Sequence, residues 1–488
     1  MNSGSALARR CRSRLFAAFL GLALMSGCSS LKIAGERDAV FAQAVEASLE
    51  SDSNLAGAAS WRYVSGSTAD DPRYDRALRI LGESAERLGF TYAASLWYLE
   101  IAQARRDVDV VDDAVRGLER IMTQKAFDES TILRGFVASE DLTGLPPEQM
   151  AFIYYYQGLN SLRNGLRDWA NLQFGLIPKG SPYGARATYV LAVDKLTSYD
   201  LSGAQADLEA LVADDEEKQN LPESLRNDIE RTLGRIAFEQ NRYRDAIKSY
   251  EKLRKTAVND PSLLLEMAWS HYYLGEYERA LGLLIALDAP AYRQLIAPER
   301  FLLEALSLRH ICQFEPARKA AVRLRAAYGG AIKDLYDGVP IKESEALRGA
   351  ARLRTAGRGI GDFRVLIEAE RKRIDDIEDD IGPEFAKRLR GIYDAGIAEA
   401  SRREDEELLH EMQAVARELL NSEEGVRLIL HELGVALLRG RRRPPGSETR
   451  LRIEDTFSES DILYRFEGEF WTDELDDLVV TMEDRCID

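Results

Sequence analysis

A short pattern between residues 233 and 261 constrains the fold more than any other feature of this chain. Gly234 lies within a helical stretch, and after a polar bend at Asn241 the residues Ala246 and Tyr250 follow at helical spacing. Apolar residues that recur every three or four positions predict amphipathic helices. The pattern therefore predicts two helices joined by a turn, with small residues where the helices cross and Tyr250 filling the gap to the next hairpin.

The same pattern recurs along the chain, which makes accidental spacing in an ordinary helical bundle the weaker interpretation. In six places a small residue is followed twelve positions later by an alanine. The leading small residues are Gly82, Gly158, Ala192, Gly234, Ala268 and Ala305, and the alanines are Ala94, Ala170, Ala204, Ala246, Ala280 and Ala317. The last four steps are 34, 42, 34 and 37 positions, and the first gap of 76 has room for one degenerate repeat of unfixed register. Self-similarity at a fixed period indicates a repeat array.

This pattern resembles the tetratricopeptide repeat (TPR), a helical hairpin of about 34 residues. The resemblance implies an all-α fold, a TPR-type α-solenoid of helix-turn-helix hairpins over residues 73–335. A change in character at Lys342 predicts a helical C-terminal region over residues 336–445. Within it, Gly382-Pro383 is predicted to interrupt the helical pattern, with further helices from Phe385 to Leu420 and one more from Gly425 to Leu438. Residues 446–488 are an acidic aromatic tail that either packs on the helices or docks on a partner. Its apolar stripe is Phe466, Phe470, Trp471 and Leu475.

The N-terminal segment, residues 1–27, has the pattern of an export signal. A basic start precedes an apolar run from Leu15 to Leu24, which is too short to span a bilayer at about 20 residues. The run ends in Met25-Ser26-Gly27 before Cys28, which resembles a bacterial lipobox. The resemblance implies cleavage before Cys28 and acylation of Cys28. A plain signal peptide or a chance cysteine is the alternative.

The lipobox resemblance also implies a location, because Ser29 stands where a signal for inner-membrane retention is usually Asp. We therefore expect a lipid-anchored protein of the outer membrane that faces the periplasm. Residues 28–72 are predicted to be a tether, with a possible short helix at residues 39–50 and a loose stretch from Ser51 to Asp71. Cys312 and Cys486 could pair in an oxidising compartment, but free buried thiols are the favoured prediction.

The net charge excludes some partners. Loss of the four arginines of the export signal lowers the net charge from −17 to −21, and such a surface repels nucleic acid and anionic lipid headgroups. Two His-Glu pairs, at His410 and His431, lack the second histidine of a zinc-protease motif, so they are interpreted as ordinary helix residues. No cofactor, metal site or catalytic residue is predicted.

Recognition of a protein partner is the remaining function. The geometry of the TPR family implies a groove lined by the first helix of each hairpin, and aromatic and arginine side chains are typical of binding hot spots. The alternative is that the aromatic residues pack between repeats and the arginines are solvated. The predicted partner-binding residues are Phe152, Tyr155, Arg163, Arg186, Tyr189, Arg231, Arg235, Trp269 and Tyr272. Their arginines predict an acidic partner segment.

The sequence leaves three functional classes open. The first is a lipid-anchored scaffold that binds protein partners in a cell-envelope assembly or motility machine, as bacterial TPR lipoproteins do. The second is a regulator of, or an enzyme in, cell-wall metabolism with activity in the C-terminal third. The third is a solute-binding lipoprotein, which usually has strands and two lobes. We expect no enzymatic activity.

Substitution of Cys28 tests the anchor. Cys28→Ser should block lipidation and leave the export signal uncleaved, because acylation of the cysteine precedes cleavage in this pathway. The measurement is incorporation of a radioactive fatty acid together with the mobility of the protein on a gel. Equal label in the wild type and the variant would contradict the lipobox prediction.

Overall fold

The computed structural model describes most of the chain after residue 34. The described residues are 35–124, 127, 145–178, 180–213, 221–253, 260–289, 292, 297–355, 361–438, 479–480, 482 and 486. Cys28, the rest of the export signal and the apolar stripe of the tail lie outside these ranges. Within them every regular element is a helix and no strand occurs, so the all-α prediction is confirmed. None of the helices in these ranges is long and apolar enough to cross a membrane.

The chain divides into two compact units, each discontinuous in sequence. The first comprises Met1–Leu176 and Gly361–Ser401, and the second Ile177–Ile360 and Arg402–Asp488. The first unit holds residues 35–49 (α1), Ser53–Ser65 (α2), Tyr74–Arg87 (α3), Thr91–Ala104 (α4), Val108–Met122 (α5), Pro147–Arg163 (α6) and Arg167–Gly175 (α7). The second unit holds Pro182–Thr197 (α8), Leu201–Ala213 (α9), Glu223–Glu239 (α10), Tyr243–Leu253 (α11), Pro261–Tyr273 (α12), Tyr277–Ala286 (α13), Glu299–His310 (α14), Phe314–Tyr336 (α15) and Glu345–Thr355 (α16). Asp362–Asp376 (α17), Glu378–Ile381 (α18) and Pro383–Leu438 (α19) follow, and α19 passes from the first unit to the second.

The predicted array of helical hairpins is present. The pairs α3/α4, α6/α7, α8/α9, α10/α11, α12/α13 and α14/α15 each pack as neighbours. All six alanines at the twelve-residue offset are fully buried, at 0% exposure. A small side chain at this position lets the two helices of a hairpin approach closely, which is why the offset is constant.

A second regularity links each leading residue to the residue sixteen positions later. At Gly82, Gly158 and Gly234, an added Cβ would lie less than 3.0 Å from the ring of Tyr98, Phe174 and Tyr250, respectively. Where the leading residue is an alanine, the partner is aliphatic: Leu208, Leu284 and Ala321 are buried in the same clusters as Ala192, Ala268 and Ala305. Tyr250 therefore fills space above Gly234 inside its own hairpin, and packs with Leu263 and Met267 of the next helix as well.

The turn of each hairpin has a fixed backbone conformation. Seven positions after each leading residue, φ is positive: +79° at Gly89, +73° at Gly165, +61° at Tyr199, +60° at Asn241, +79° at Gly275 and +55° at Cys312. A single left-handed residue at a helix C-terminus is a common way to end a helix, and glycine and asparagine adopt it at low cost. Tyr199 and Cys312 adopt it without that advantage, so the hairpin geometry determines the conformation there.

The 76-residue gap contains the start of a further repeat. Gly117 of α5 lies 35 residues after Gly82, and an added Cβ there would also lie within 3.0 Å of the Tyr98 ring. The ring is thus held between glycines of α3 and α5. Helix α5 packs on α3, α4 and α6 within the first unit. Most of residues 125–144 lie outside the described ranges.

Two predictions about the flanking segments are wrong. The stretch from Ser51 to Asp71 is not loose, because α2 covers residues 53–65 and buries Ala56, Ala59 and Tyr63 against α3. The interruption at Gly382-Pro383 is confirmed, with φ of +80° at Gly382. However, the separate helices predicted after it form one helix of 56 residues.

The prediction of free thiols is also wrong, because Cys312 and Cys486 form a disulfide. Near it, the backbone N–H of Val480 donates to the carbonyl of Glu278 at 3.1 Å, and Val480 and Met482 pack on the core of the second unit. The described end of the tail therefore packs on the helices of its own chain, which is the first of the two alternatives for this segment.

Substitution of Gly234 tests the sixteen-residue rule. Gly234→Ala should cost about 1–3 kcal/mol of unfolding free energy, because the new methyl group displaces the Tyr250 ring. Gly349→Ala is the matched control: Gly349 lies in a helix with nothing within 4 Å, so the change should be neutral or stabilising. Adding Tyr250→Leu to Gly234→Ala should recover part of the loss, since Ala with Leu is the pair that the next repeat uses. Urea unfolding measures all three, and a Gly234→Ala protein as stable as wild type would contradict the rule.

Candidate functional site

The predicted partner-binding residues of the first unit separate into buried and exposed side chains. Phe152 is 1% exposed and Tyr155 is 9% exposed. Their rings pack on Tyr156 at 5.0 and 5.1 Å between centroids, and Tyr155 also packs on Phe174 of α7. Both are core side chains of the hairpin, so their assignment to a binding surface is wrong in this structure. Arg163 lies exposed in the last turn of α6.

Two predicted residues lie on α8 in the second unit. Arg186 is half-buried, with its guanidinium 5.7 Å from the centre of the Tyr183 ring. Tyr189 is half-buried, and its hydroxyl lies 3.3 Å from the hydroxyl of Thr232 on α10. Arg186 therefore stacks on a ring of its own helix, whereas Tyr189 connects two successive hairpins.

The two arginines of α10 already have partners within the chain. Arg231 forms ion pairs with Asp260 at 2.5 Å and Glu266 at 2.8 Å, and Arg235 pairs with the same Glu266 at 2.7 Å. Asp260 caps the N-terminus of α12, so these contacts join consecutive repeats. The positive charge of these two arginines is therefore largely neutralised within the chain. Arg235, whose side chain is 55% exposed, is the more accessible of the two.

Trp269 and Tyr272 are brought together, and they belong to a larger aromatic row. Seven rings follow one another along the second unit: Phe238, Tyr243, Trp269, Tyr272, Tyr273, Tyr277 and His310. Tyr243 and Tyr273 stack with centroids 5.0 Å apart, and Trp269 stacks on Tyr273 at 5.8 Å. At the other end, Tyr277 stacks on His310 at 4.7 Å. Aromatic pairs at these distances stabilise each other by about 0.5–1.5 kcal/mol beyond their buried area.

The aromatic row lies at the edge formed by the hairpin turns. Phe238 and Tyr273 are near the ends of first helices, whereas Tyr243 and Tyr277 begin the second helices. Tyr273 is 51% exposed, and the other members are partly buried. The row is thus partly accessible to solvent, while Phe238, Trp269 and Tyr272 also pack on the core. This differs from the predicted surface, which is lined by the first helices alone, whereas Tyr243 and Tyr277 belong to second helices.

Burial sets the protonation of the polar members of the row. It raises the pKa of Tyr272 to about 12, and it lowers the pKa of His310 to about 4, with Arg309 contributing in the same direction. The Tyr272 hydroxyl lies 3.1 Å from Nε2 of His310, so at neutral pH a neutral phenol meets a neutral imidazole. The aromatic row is therefore an apolar and hydrogen-bonding surface rather than a charged one.

Sequence reasoning missed Tyr243, Tyr273, Tyr277 and His310 as members of the site, although the sequence contains a signal for some of them. Phe238 and Tyr272 are 34 residues apart, as are Tyr243 and Tyr277. Aromatic residues that recur at the repeat period occupy equivalent places in neighbouring hairpins, so they line up on one edge. The repeat period found from the small residues therefore also predicts that these aromatic residues lie on one edge.

Comparisons with known proteins leave the function open. No family model matches the sequence, and no curated protein matches it. Among solved structures, yeast Tom70 is similar to this chain with a TM-score of 0.25 and 13% sequence identity, over 75% of this chain and 89% of the Tom70 chain. A TM-score this low does not establish a shared fold, so the hairpin architecture rests on the contacts described above.

His310 should make the second unit sensitive to acid. Its folded pKa of about 4 lies below the ordinary value of 6.5, so its contribution to stability is present above pH 6.5 and is lost as pH falls through 4. The loss is on the order of 2 kcal/mol once the partial exposure of the ring is allowed for. Urea unfolding of His310→Gln between pH 7 and 4 should show a weaker pH dependence than wild type. His410→Gln, at an exposed histidine of α19, is the control and should behave as wild type.

Proposed function

We propose that this chain is a protein-binding scaffold and that the aromatic row is its principal binding surface. The helical hairpins provide a rigid support, and the observation that carries the proposal is the run of seven adjoining rings on one edge of the second unit. Tyrosine and tryptophan provide large contact areas at low entropic cost, which is why they are enriched at binding hot spots. The proposed ligand is an extended or helical segment of a partner protein.

The partner segment is proposed to carry at least one carboxylate beside its apolar residues. Arg235 is the group that would bind it, because Glu266 keeps its ion pair with Arg231 if Arg235 turns away. A bidentate arginine–carboxylate contact is stronger and more directional than a neutral hydrogen bond. The aromatic row would supply most of the affinity and Arg235 the orientation.

The proposal also includes the location of the protein. A lipid on Cys28 would anchor the chain in the outer membrane, facing the periplasm, where it would hold components of an envelope assembly or motility machine. The support is the sequence of residues 1–29 together with the Cys312–Cys486 disulfide. Structural disulfides are stable in oxidising compartments such as the bacterial periplasm and rare in the cytosol.

Substitutions in the aromatic row test the proposed function. Trp269→Ala and Tyr273→Ala should each weaken capture of the native partner by about thirtyfold, since a hot-spot side chain contributes about 2 kcal/mol or more. Partners are identified by photo-crosslinking from a benzophenone amino acid at position 273, and affinities are then measured with the purified partner.

The matched control is Tyr199→Ala. Tyr199 is a 90% exposed tyrosine of the same unit that lies outside the aromatic row, so its loss should leave binding unchanged. Circular dichroism must show that all variants keep their helical content. Wild-type affinity in both row variants would exclude the aromatic row as the binding surface.

A further inference from the structure

A cleft in the first unit has a composition unlike the rest of this acidic chain. It lies between α2 and the start of α19 and has a volume of about 630 Å³. Its rim carries three cations, Arg62, Lys387 and Arg388, and one acid, Glu384. The cleft therefore has a local excess of positive charge, although the chain as a whole has a net charge of −17.

The floor of the cleft is apolar and well supported. Phe385 is 2% exposed, packs on the ring of Trp97 at 6.1 Å between centroids, and lies against Gly57, where an added Cβ would be 2.9 Å from the Phe385 ring. Ile381 is buried beside it. Trp61 forms a wall and is only half-buried. Phe385 and Ile381 therefore support the cleft from within the core, and Trp61 is the ring that offers apolar surface to a ligand.

Among the described residues, the cations of the rim have no carboxylate partners. In the part of the chain that the structure describes, no acidic oxygen lies within 4.0 Å of the charged nitrogens of Arg62, Lys387 or Arg388. Glu384 is three and four residues before Lys387 and Arg388, a spacing that permits ion pairs on a helix, yet it pairs with neither. The guanidinium of Arg388 instead lies 5.4 Å from the centre of the Trp61 ring.

Neighbouring arginines of the same unit behave differently. Arg371 pairs with Asp394 at 2.9 Å, and Arg390 pairs with Asp375 at 3.0 Å and with Glu378. Acids of this region are thus able to pair with nearby arginines inside the chain. In the cleft, by contrast, three cations have no acidic partner among the described residues and are available to another molecule.

We propose that this cleft binds an acidic segment of a partner protein, with an apolar side chain against Trp61 and carboxylates on Arg62, Lys387 and Arg388. This is a second binding surface, in a different unit from the aromatic row and independent of it. An anionic bilayer is the less suitable occupant, because the net charge of the chain repels it and a flat surface does not reach a concave floor. A protein with two such surfaces would bind two partners, or two parts of one partner.

The test uses a short fluorescein-labelled peptide that alternates Asp or Glu with Leu or Phe, and the same peptide with every acid replaced by Lys. Fluorescence anisotropy with the full-length protein should show binding of the acidic peptide only, weakening as salt rises. Lys387→Glu should reduce the affinity at least tenfold. The matched control is Lys372→Glu, an exposed lysine of α17 outside the cleft, which should change the affinity less than twofold.

Two further measurements distinguish the cleft from the aromatic row and from a membrane-binding surface. Trp61→Ala should weaken binding of the peptide as well, whereas Trp269→Ala and Tyr273→Ala should not, because both of those residues belong to the aromatic row. Sedimentation with vesicles that contain anionic phospholipid tests binding to a membrane. The proposal is overturned if the acidic peptide does not bind, if Lys387→Glu and Lys372→Glu have equal effects, or if the vesicles bind through Lys387 while the peptide does not.

Discussion

The hairpins depend on one steric constraint, the fit between a leading residue and the side chain sixteen positions later. A glycine faces an aromatic ring, as at Gly234 and Tyr250, and an alanine faces an aliphatic side chain, as at Ala268 and Leu284. Interiors are packed so closely that one added methyl group is felt. The two choices fill the same space in different ways, so the repeats keep one geometry while the sequence varies. The left-handed turn residue and the buried alanine at the twelve-residue offset belong to the same geometry.

Much of this fold could be predicted because the constraint is local. Each leading residue, such as Gly82 or Gly158, contacts a side chain only sixteen positions later in the sequence. The same contact then recurs in each repeat. Gly117 escapes the pattern because an alanine does not follow it twelve positions later, although Tyr98 contacts it as closely as Gly82. The disulfide could not be predicted, since 174 residues separate its cysteines and no local pattern records that they meet. Helix α2 is hard to predict because Gly, Ser and Ala suggest a linker, yet these small residues let Phe385 approach closely.

The candidate site was harder to predict than the fold, for an electrostatic reason. Arg231 and Arg235 suggest a partner-binding role because each stands on a first helix in an acidic chain. Their acids, Asp260 and Glu266, come from the next repeat, and only the tertiary structure shows that they are within 3 Å. In contrast, the ring contacts of the aromatic row join residues at equivalent repeat positions, so the period alone could have located Tyr243 and Tyr277.

The C-terminal third does not form a domain of its own, and buried carboxylates help to explain why. Helix α4 begins at Thr91 without a capping side chain from its own N-cap, Phe90. Glu370 of α17 supplies the missing acceptor: it accepts the backbone N–H of Thr91 and of Tyr92, each at 3.1 Å, and the hydroxyl of Tyr393.

Burial raises the pKa of Glu370, and the hydrogen bonds from these donors act in the opposite direction. A buried carboxylate without these hydrogen bonds would destabilise the folded state, so all of the contacts are needed together. In the second unit, Glu423 of α19 accepts from Arg325 at 3.0 Å and from the Tyr336 hydroxyl at 2.9 Å. Each unit thus uses a carboxylate from the C-terminal segments to satisfy donors of its own hairpins. A repeat array leaves its last helix uncovered unless a further element packs on it. Here α17 and α19 pack on the hairpins. Charged residues of this segment, which the sequence suggested to be a separate helical region, make that packing specific.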